Sequence, residues 1–213
     1  LVERVLAMII TGTAIAYATV TFQTVTHNRL LTPSMMGVDS MYEVVQTVIF
    51  FFAGSASIFV VSRYLNFGLS IVAMVIFALI LYRFLFRADK HPIFLLLLAG
   101  MIIGTLLGSL VTFLQVIIDP VEYESLQSRL FASFMNVKTE LLLIALVILV
   151  ASFIYGYRLL RDLDVMSLGR ENAINLGVNY DKIVLKVLIL SSVLIATSTA
   201  LVGPITFLGL IVS

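Results

Sequence analysis

The sequence predicts an all-α, polytopic transmembrane helix bundle, and three observations carry that reading. Of 213 residues, 61% are hydrophobic and only 12% are charged, against roughly a quarter charged in an ordinary soluble domain. Mean hydropathy is +1.14. The apolar residues also fall in runs of about 20 without period-2 alternation, the length a helix needs to cross a hydrocarbon core of roughly 30 Å. In lipid each such run must satisfy its own backbone hydrogen bonds, which leaves the helix as the element these runs can form.

A sliding window places about six spans, near 5–26, 41–62, 67–87, 92–118, 139–160 and 183–202. The first follows Arg4 and ends before His27 and Asn28. The second opens close to Glu43 and runs through Gly54-Ser55-Ala56-Ser57, a small-residue stretch suited to close packing. The fourth carries Gly100, Gly104 and Gly108 at four-residue spacing, a stripe that serves either close helix packing or the lining of a pathway. Ser191, Ser192, Thr197, Ser198 and Thr199 lie on the sixth, where hydroxyls can return to carbonyls one turn earlier. The apolar tail from Gly203 to Ser213 is too short to span; it reads as a re-entrant piece or the head of a further helix. The whole of 1–213 reads as one transmembrane domain, and its start at Leu1 and stop at Ser213 read as cuts through a longer chain.

Loop charge sets the orientation. Nine basic residues lie in or beside the loops 27–40, 83–91 and 158–186 (Arg29, Arg83, Arg87, Lys90, Arg158, Arg161, Arg170, Lys182, Lys186), whereas Arg4, Arg63, Arg129 and Lys138 make four on the other side. The positive-inside rule places the first set of loops in the cytoplasm. Net charge is +1, which indicates no polyanionic partner and argues against nucleic acid.

Chemistry-bearing patterns are sparse. There is no cysteine, hence no disulfide and no thiolate site. The two histidines, His27 and His91, stand alone in loops, with no His-Glu-x-x-His pair for a metal. No phosphate-cradling Gly-x-x-x-x-Gly-Lys-Ser/Thr motif occurs, so any ATP chemistry must reside elsewhere. No relay of acids or histidines of the kind a proton-coupled transporter needs is visible; Glu43 and Lys186 sit near span ends, within snorkelling reach of the interface. A secondary transporter or channel of unrelated helical fold is the alternative reading.

The segment about 164–180 is the most distinctive. Within it Leu168-Gly169-Arg170-Glu171-Asn172-Ala173-Ile174-Asn175-Leu176-Gly177 predicts a short polar helix bracketed by glycines, with Ala173, Ile174 and Leu176 on an apolar face and Gly177 as an αL cap. Taken alone, it is either an ordinary interfacial loop or a knob on which a partner docks.

Three segments resemble the permeases of type II ABC importers for ferric siderophores, haem and vitamin B12. Arg4, Gly12, Gln23, Asn28, Leu30, Pro33 and Gly37 are similar to an arginine-led span followed by that family's Asn-Pro-Leu-Ala-x-Pro loop, with Arg29 where the loop has Pro. Leu168 to Gly177 resembles its Leu-Gly-x-x-x-Ala-x-x-Leu-Gly coupling motif, and Ala200 to Val212 its Ala-Gly-Pro-Ile-x-Phe-x-Gly-Leu-Ile segment. The resemblance implies a roughly ten-span, non-enzymatic permease subunit in a bacterial inner membrane, carrying a ferric siderophore into the cytoplasm. It also implies a second, identical or different, permease subunit, cytoplasmic ATPase subunits holding ATP and Mg, and an extracytoplasmic substrate-binding protein. No cofactor or metal is expected in this chain. By the same resemblance Leu168, Gly169, Arg170, Glu171, Ala173, Leu176 and Gly177 couple to the ATPase, Arg4 meets the binding protein, and Asn28, Arg29 and Leu30 sit at a cytoplasmic gate.

Overall fold

The computed structural model describes residues 2–85, 92–135, 137, 139–205 and 208–212, and every regular element among them is helical. Arg87, Lys90, His91 and Lys138, used in the charge and histidine readings, lie outside the described residues. Five helices are long and apolar enough to cross a membrane: α1 (Val2–Thr26), α4 (Arg63–Leu85), α5 (Pro92–Ile117), α7 (Thr139–Tyr157) and α10 (Tyr180–Val202). The expected second span is different. Instead of one helix over 41–62 there are α2 (Val38–Ala53) and α3 (Ile58–Val61), separated at Gly54 by a positive φ of 69°. At 1.5 Å per residue a 16-residue helix is about 24 Å long, short of a full crossing.

The shortfall is made up by the chain before it. Thr32, Pro33, Ser34, Met36, Val38 and Asp39 are all buried, so this stretch of the expected cytoplasmic loop 27–40 runs inside the bundle. A 3₁₀ turn over Pro33–Met36 leads through Gly37, at φ 78°, into α2. Pro33 at the start of the turn brings a preset φ, and Gly37 provides the left-handed residue that reverses direction at its end.

α10 is the central post. It packs against α1, α2, α4 and α7, and its buried residues run nearly all round the helix, from Tyr180 to Val202. Small side chains allow this: Ala14 and Ala18 of α1 and Ala196 of α10 are buried, and the Ser191 hydroxyl donates across to the Ala18 carbonyl at 3.2 Å. α5 is the opposite case. It touches α2, α4 and the 3₁₀ turn, while Ile102, Leu106, Phe113 and Val116 are exposed, as lipid-facing residues are when hydrocarbon is the solvent.

Short helices close the two ends. At the end that Arg4 occupies lies α6 (Pro120–Leu130), started by Asp119, whose carboxylate accepts from the Val121 N–H at 2.9 Å. Glu122 of α6 accepts from the Ser55 N–H (2.7 Å) and hydroxyl (2.9 Å), holding the α2–α3 turn. At the opposite end lie α8 (Leu160–Met166) and α9 (Arg170–Asn175). After α10 the chain turns at Gly203, where φ is 103° and a Cβ would sit 2.9 Å from the Ala132 Cα. α11 (Leu208–Val212) then packs back against α1, with Gly209 beside Thr19 and Thr32. This short inward helix fits either expectation for the tail, a re-entrant piece or the head of a further helix; Thr206 and Phe207, part of the motif quoted above, lie outside the described residues.

Candidate functional site

The cytoplasmic end gathers two of the sequence-identified groups. α9 is held between two glycines in the left-handed region, Gly169 at φ 97° and Gly177 at φ 87°. The Gly177 N–H donates to the Ile174 carbonyl at 2.9 Å, which is the expected glycine cap. Asn172 donates back to the Leu168 carbonyl at 2.8 Å, and the Arg170 guanidinium lies 5.6 Å over the Tyr180 ring. Ala173 is fully buried, so it points into the protein and not onto a common face with Ile174 and Leu176 as the sequence suggested. The outward apolar set is instead Leu168, Ile174 and Leu176, exposed by 57%, 47% and 63%. Glu171 and Arg170 are exposed beside them.

This knob is not loosely hung. His27 places Nε2 2.9 Å from the Met166 carbonyl and Nδ1 3.3 Å from the Val25 carbonyl, tying α8 to the end of α1. Tyr180 donates its hydroxyl to the Val25 carbonyl at 3.3 Å, and Asn179 caps α10 by accepting from the Lys182 N–H at 3.2 Å. The three expected gate residues follow directly: Asn28 accepts from the Leu30 N–H at 2.9 Å in a tight side-chain turn, and Gln23 donates to the Arg29 carbonyl at 2.6 Å. Asn28, Arg29 and Leu30 are exposed. The gate group and the α9 knob therefore share one end of the bundle, joined through His27 and Tyr180.

Arg4 stands at the other end of α1, roughly 33 Å away along the helix axis. It is exposed, next to Glu3, which accepts from the Thr139 hydroxyl. The glycine stripe divides. A Cβ at Gly100 would lie 2.9 Å from the Met36 Cα, and one at Gly104 would lie 3.0 Å from the Gly37 Cα, so both exist to let the buried turn 33–37 rest on α5. Around Gly108 there is nothing within 4 Å. Packing thus accounts for two of the three.

Two buried polar features escaped the sequence reading. Asp39, assigned there to a loop, is 6% exposed at the start of α2 and accepts from the Thr199 hydroxyl of α10 at 2.8 Å, while its second oxygen has no partner. Farther along α2, Gln46 donates to Asn66 (3.0 Å) and Ser70 (3.0 Å) of α4, and Asn66 donates back to Gln46 (3.2 Å) and to the Phe59 carbonyl (3.1 Å). The available signal was the spacing of polar residues along 39–46, four and then three apart, which places Asp39, Glu43 and Gln46 near one helix face.

A family model described as the FecCD transport family matches residues 1–213. A petrobactin import system permease protein of Bacillus subtilis is 47% identical over 211 residues, covering 99% of this chain and 67% of its own length. A petrobactin import system permease of Bacillus anthracis is 37% identical, covering 100% of this chain and 60% of its own length. A hemin transport system permease of Yersinia pestis is 29% identical, covering 98% and 62% respectively. Among solved structures, a chain assigned to the metal-chelate type of ABC transporter, in an inward-facing conformation, superimposes with a TM-score of 0.86 at 29% identity, covering 99% of this chain and 65% of that one. The chain spans about two thirds of the length of these relatives. With its motifs in order along all 213 residues and its helices superimposing on a solved relative, the chain belongs to the FecCD transport family.

Proposed function

We propose that this chain forms most of a permease subunit of an ATP-binding-cassette importer, and that the permease carries a ferric siderophore into the cytoplasm. The observation that carries the reading is the α9 knob: three exposed apolar side chains, Leu168, Ile174 and Leu176, on or beside a glycine-bracketed helix whose flanking helices α8 and α10 are hydrogen-bonded to the end of α1. Apolar groups presented beyond the membrane, rimmed by Arg170 and Glu171, suit a protein partner. That partner is a cytoplasmic ATPase subunit, which holds the ATP and Mg and does the covalent chemistry; the permease chain does none.

In this scheme nucleotide binding changes how the ATPase grips α9. The change passes through the His27 and Tyr180 hydrogen bonds to α1 and α10, and it tilts the central post relative to its neighbours. The shift can be no larger than the difference in nucleotide affinity between the two states. Asn28 to Leu30, joined to the same end, move with it as a cytoplasmic gate. Arg4, at the opposite mouth, offers a guanidinium to a carboxylate on a loaded extracytoplasmic binding protein. A second permease subunit completes the pathway. The similarity to permeases of petrobactin and hemin import systems supports an iron chelate as the cargo.

The test is ATP hydrolysis by the full-length permease with its ATPase in lipid nanodiscs, with and without a binding protein loaded with ferric siderophore. Stimulation by the loaded protein, abolished by Leu168→Glu/Leu176→Glu at unchanged membrane insertion, is the expected result. Unimpaired stimulation in that variant would remove α9 from the coupling role.

A further inference from the structure

The extracytoplasmic end holds a cavity of about 390 Å³ that neither the knob nor the gate uses. Its walls come from helix ends: Arg63 is the first residue of α4, Leu141 is near the start of α7, Val202 ends α10, and Ser128 and Arg129 close α6. Phe67, Leu141 and Leu201 make an apolar floor, whereas Arg63, Arg129, Ser128 and Ser133 bring polar groups to it.

Two cations in one cavity repel unless something negative lies between them. Among the described residues no carboxylate lies within 4.0 Å of either guanidinium. Of the acids at this end, Glu122 is engaged with Ser55, Glu140 with the Tyr64 hydroxyl at 2.9 Å, Asp119 with the start of α6 and Glu3 with Thr139, while Glu124 is exposed. Arg129 donates from Nη2 to the Val60 carbonyl at 3.0 Å and lies 5.6 Å over the Phe50 ring. That fixes its orientation and leaves most of its five donors open. Burial lowers its pKa from the ordinary arginine value, with the Tyr42 phenol opposing that shift, and an arginine so placed remains charged. It is a desolvated, oriented cation without a counter-ion.

We infer that this cavity is an oxyanion site that takes the phosphate of an anionic phospholipid headgroup. Depth and surroundings favour a lipid over a dissolved anion. The cavity lies at the ends of spanning helices, where headgroups lie, and Phe131 of its lining is exposed by 69%. Arginine pairs with phosphate in a fork that a dissolved chloride cannot match. Acyl chains would run down the apolar surface while the phosphate bridges Arg63 and Arg129. The inference is independent of the importer reading.

Native mass spectrometry of the full-length permease, extracted from nanodiscs of phosphatidylglycerol and phosphatidylcholine, tests it. The expected result is retained phosphatidylglycerol, at least fivefold reduced in Arg63→Gln/Arg129→Gln and preserved in Arg63→Lys, with melting temperature as the folding control. Should the double variant unfold, Arg63→Gln alone, at an exposed position, carries the test. Equal retention in wild type and Arg63→Gln would overturn the site. Occupation by inorganic phosphate or citrate in place of phosphatidylglycerol would overturn the lipid assignment.

Discussion

Gly100 and Gly104 are the residues at which backbone meets backbone, and their substitution separates packing from pathway. Gly100→Val and Gly104→Val push a branched side chain into Met36 and Gly37, an overpacking that costs about 1–3 kcal/mol. Both variants should melt lower in detergent, whereas Gly108→Val, with open space around it, should melt as the parent does; equal melting of all three would refute the close approach. The sequence showed the stripe but not its partition, because four-residue spacing places three glycines on one face without saying what lies against each. Asp39 makes the same point. Its carboxyl oxygen accepts from Thr199, so Asp39→Asn, which keeps an acceptor, should retain most of the stability. Asp39→Leu strands the Thr199 hydroxyl and should cost about 1–3 kcal/mol, the usual loss when a buried group loses its partner. A thermal-shift comparison of the two variants checks the order.

Among elements, α2 departs most from expectation. A hydropathy window over 41–62 registers only that the residues are apolar, and it averages over Gly54, where the helix stops. The missing length is supplied by the buried turn before it, which the positive-inside rule had grouped with cytoplasmic loop because Arg29 precedes it. What holds this short helix upright is the reciprocal amide pair of Gln46 and Asn66 with Ser70. Gln46→Leu leaves Asn66 and Ser70 without that partner and should destabilise by about 1–3 kcal/mol, while Gln46→Leu/Asn66→Leu should recover part of the loss, since removing both partners leaves fewer orphans. A double-mutant cycle by chemical denaturation measures the coupling, and additive losses would show that the pair does not act as a unit. α9, by contrast, was legible almost residue by residue. Its glycines mark φ values that only glycine adopts cheaply, and the exception is Ala173, whose inward direction depends on where α8 and α10 place the helix.

Over the whole molecule, hydrogen bonds tie both ends, Ser55 with Glu122 and Tyr64 with Glu140 at one, His27 with Met166 and Tyr180 with Val25 at the other, and Gln46 with Asn66 and Ser191 with Ala18 join helices inside the bundle. Loop charge alone assigns a side to each end, and that orientation can be tested directly, because this stretch contains no cysteine. Glu124→Cys should react with a membrane-impermeant thiol reagent added outside intact cells, and Asp164→Cys only after permeabilisation; the reverse pattern would invert the topology. By itself the sequence determined the all-helical membrane class, five of its six expected spans and the family, since these follow from local runs of hydrophobicity and linear motifs. Only the tertiary structure decided which helix is central, that 32–39 is buried, that Asp39 meets Thr199 across 160 positions, and that Arg63 and Arg129 share a cavity. Those depend on side chains brought together from distant parts of the chain, and in a molecule whose lipid-facing and core-facing surfaces are equally apolar, composition cannot tell one helix face from another.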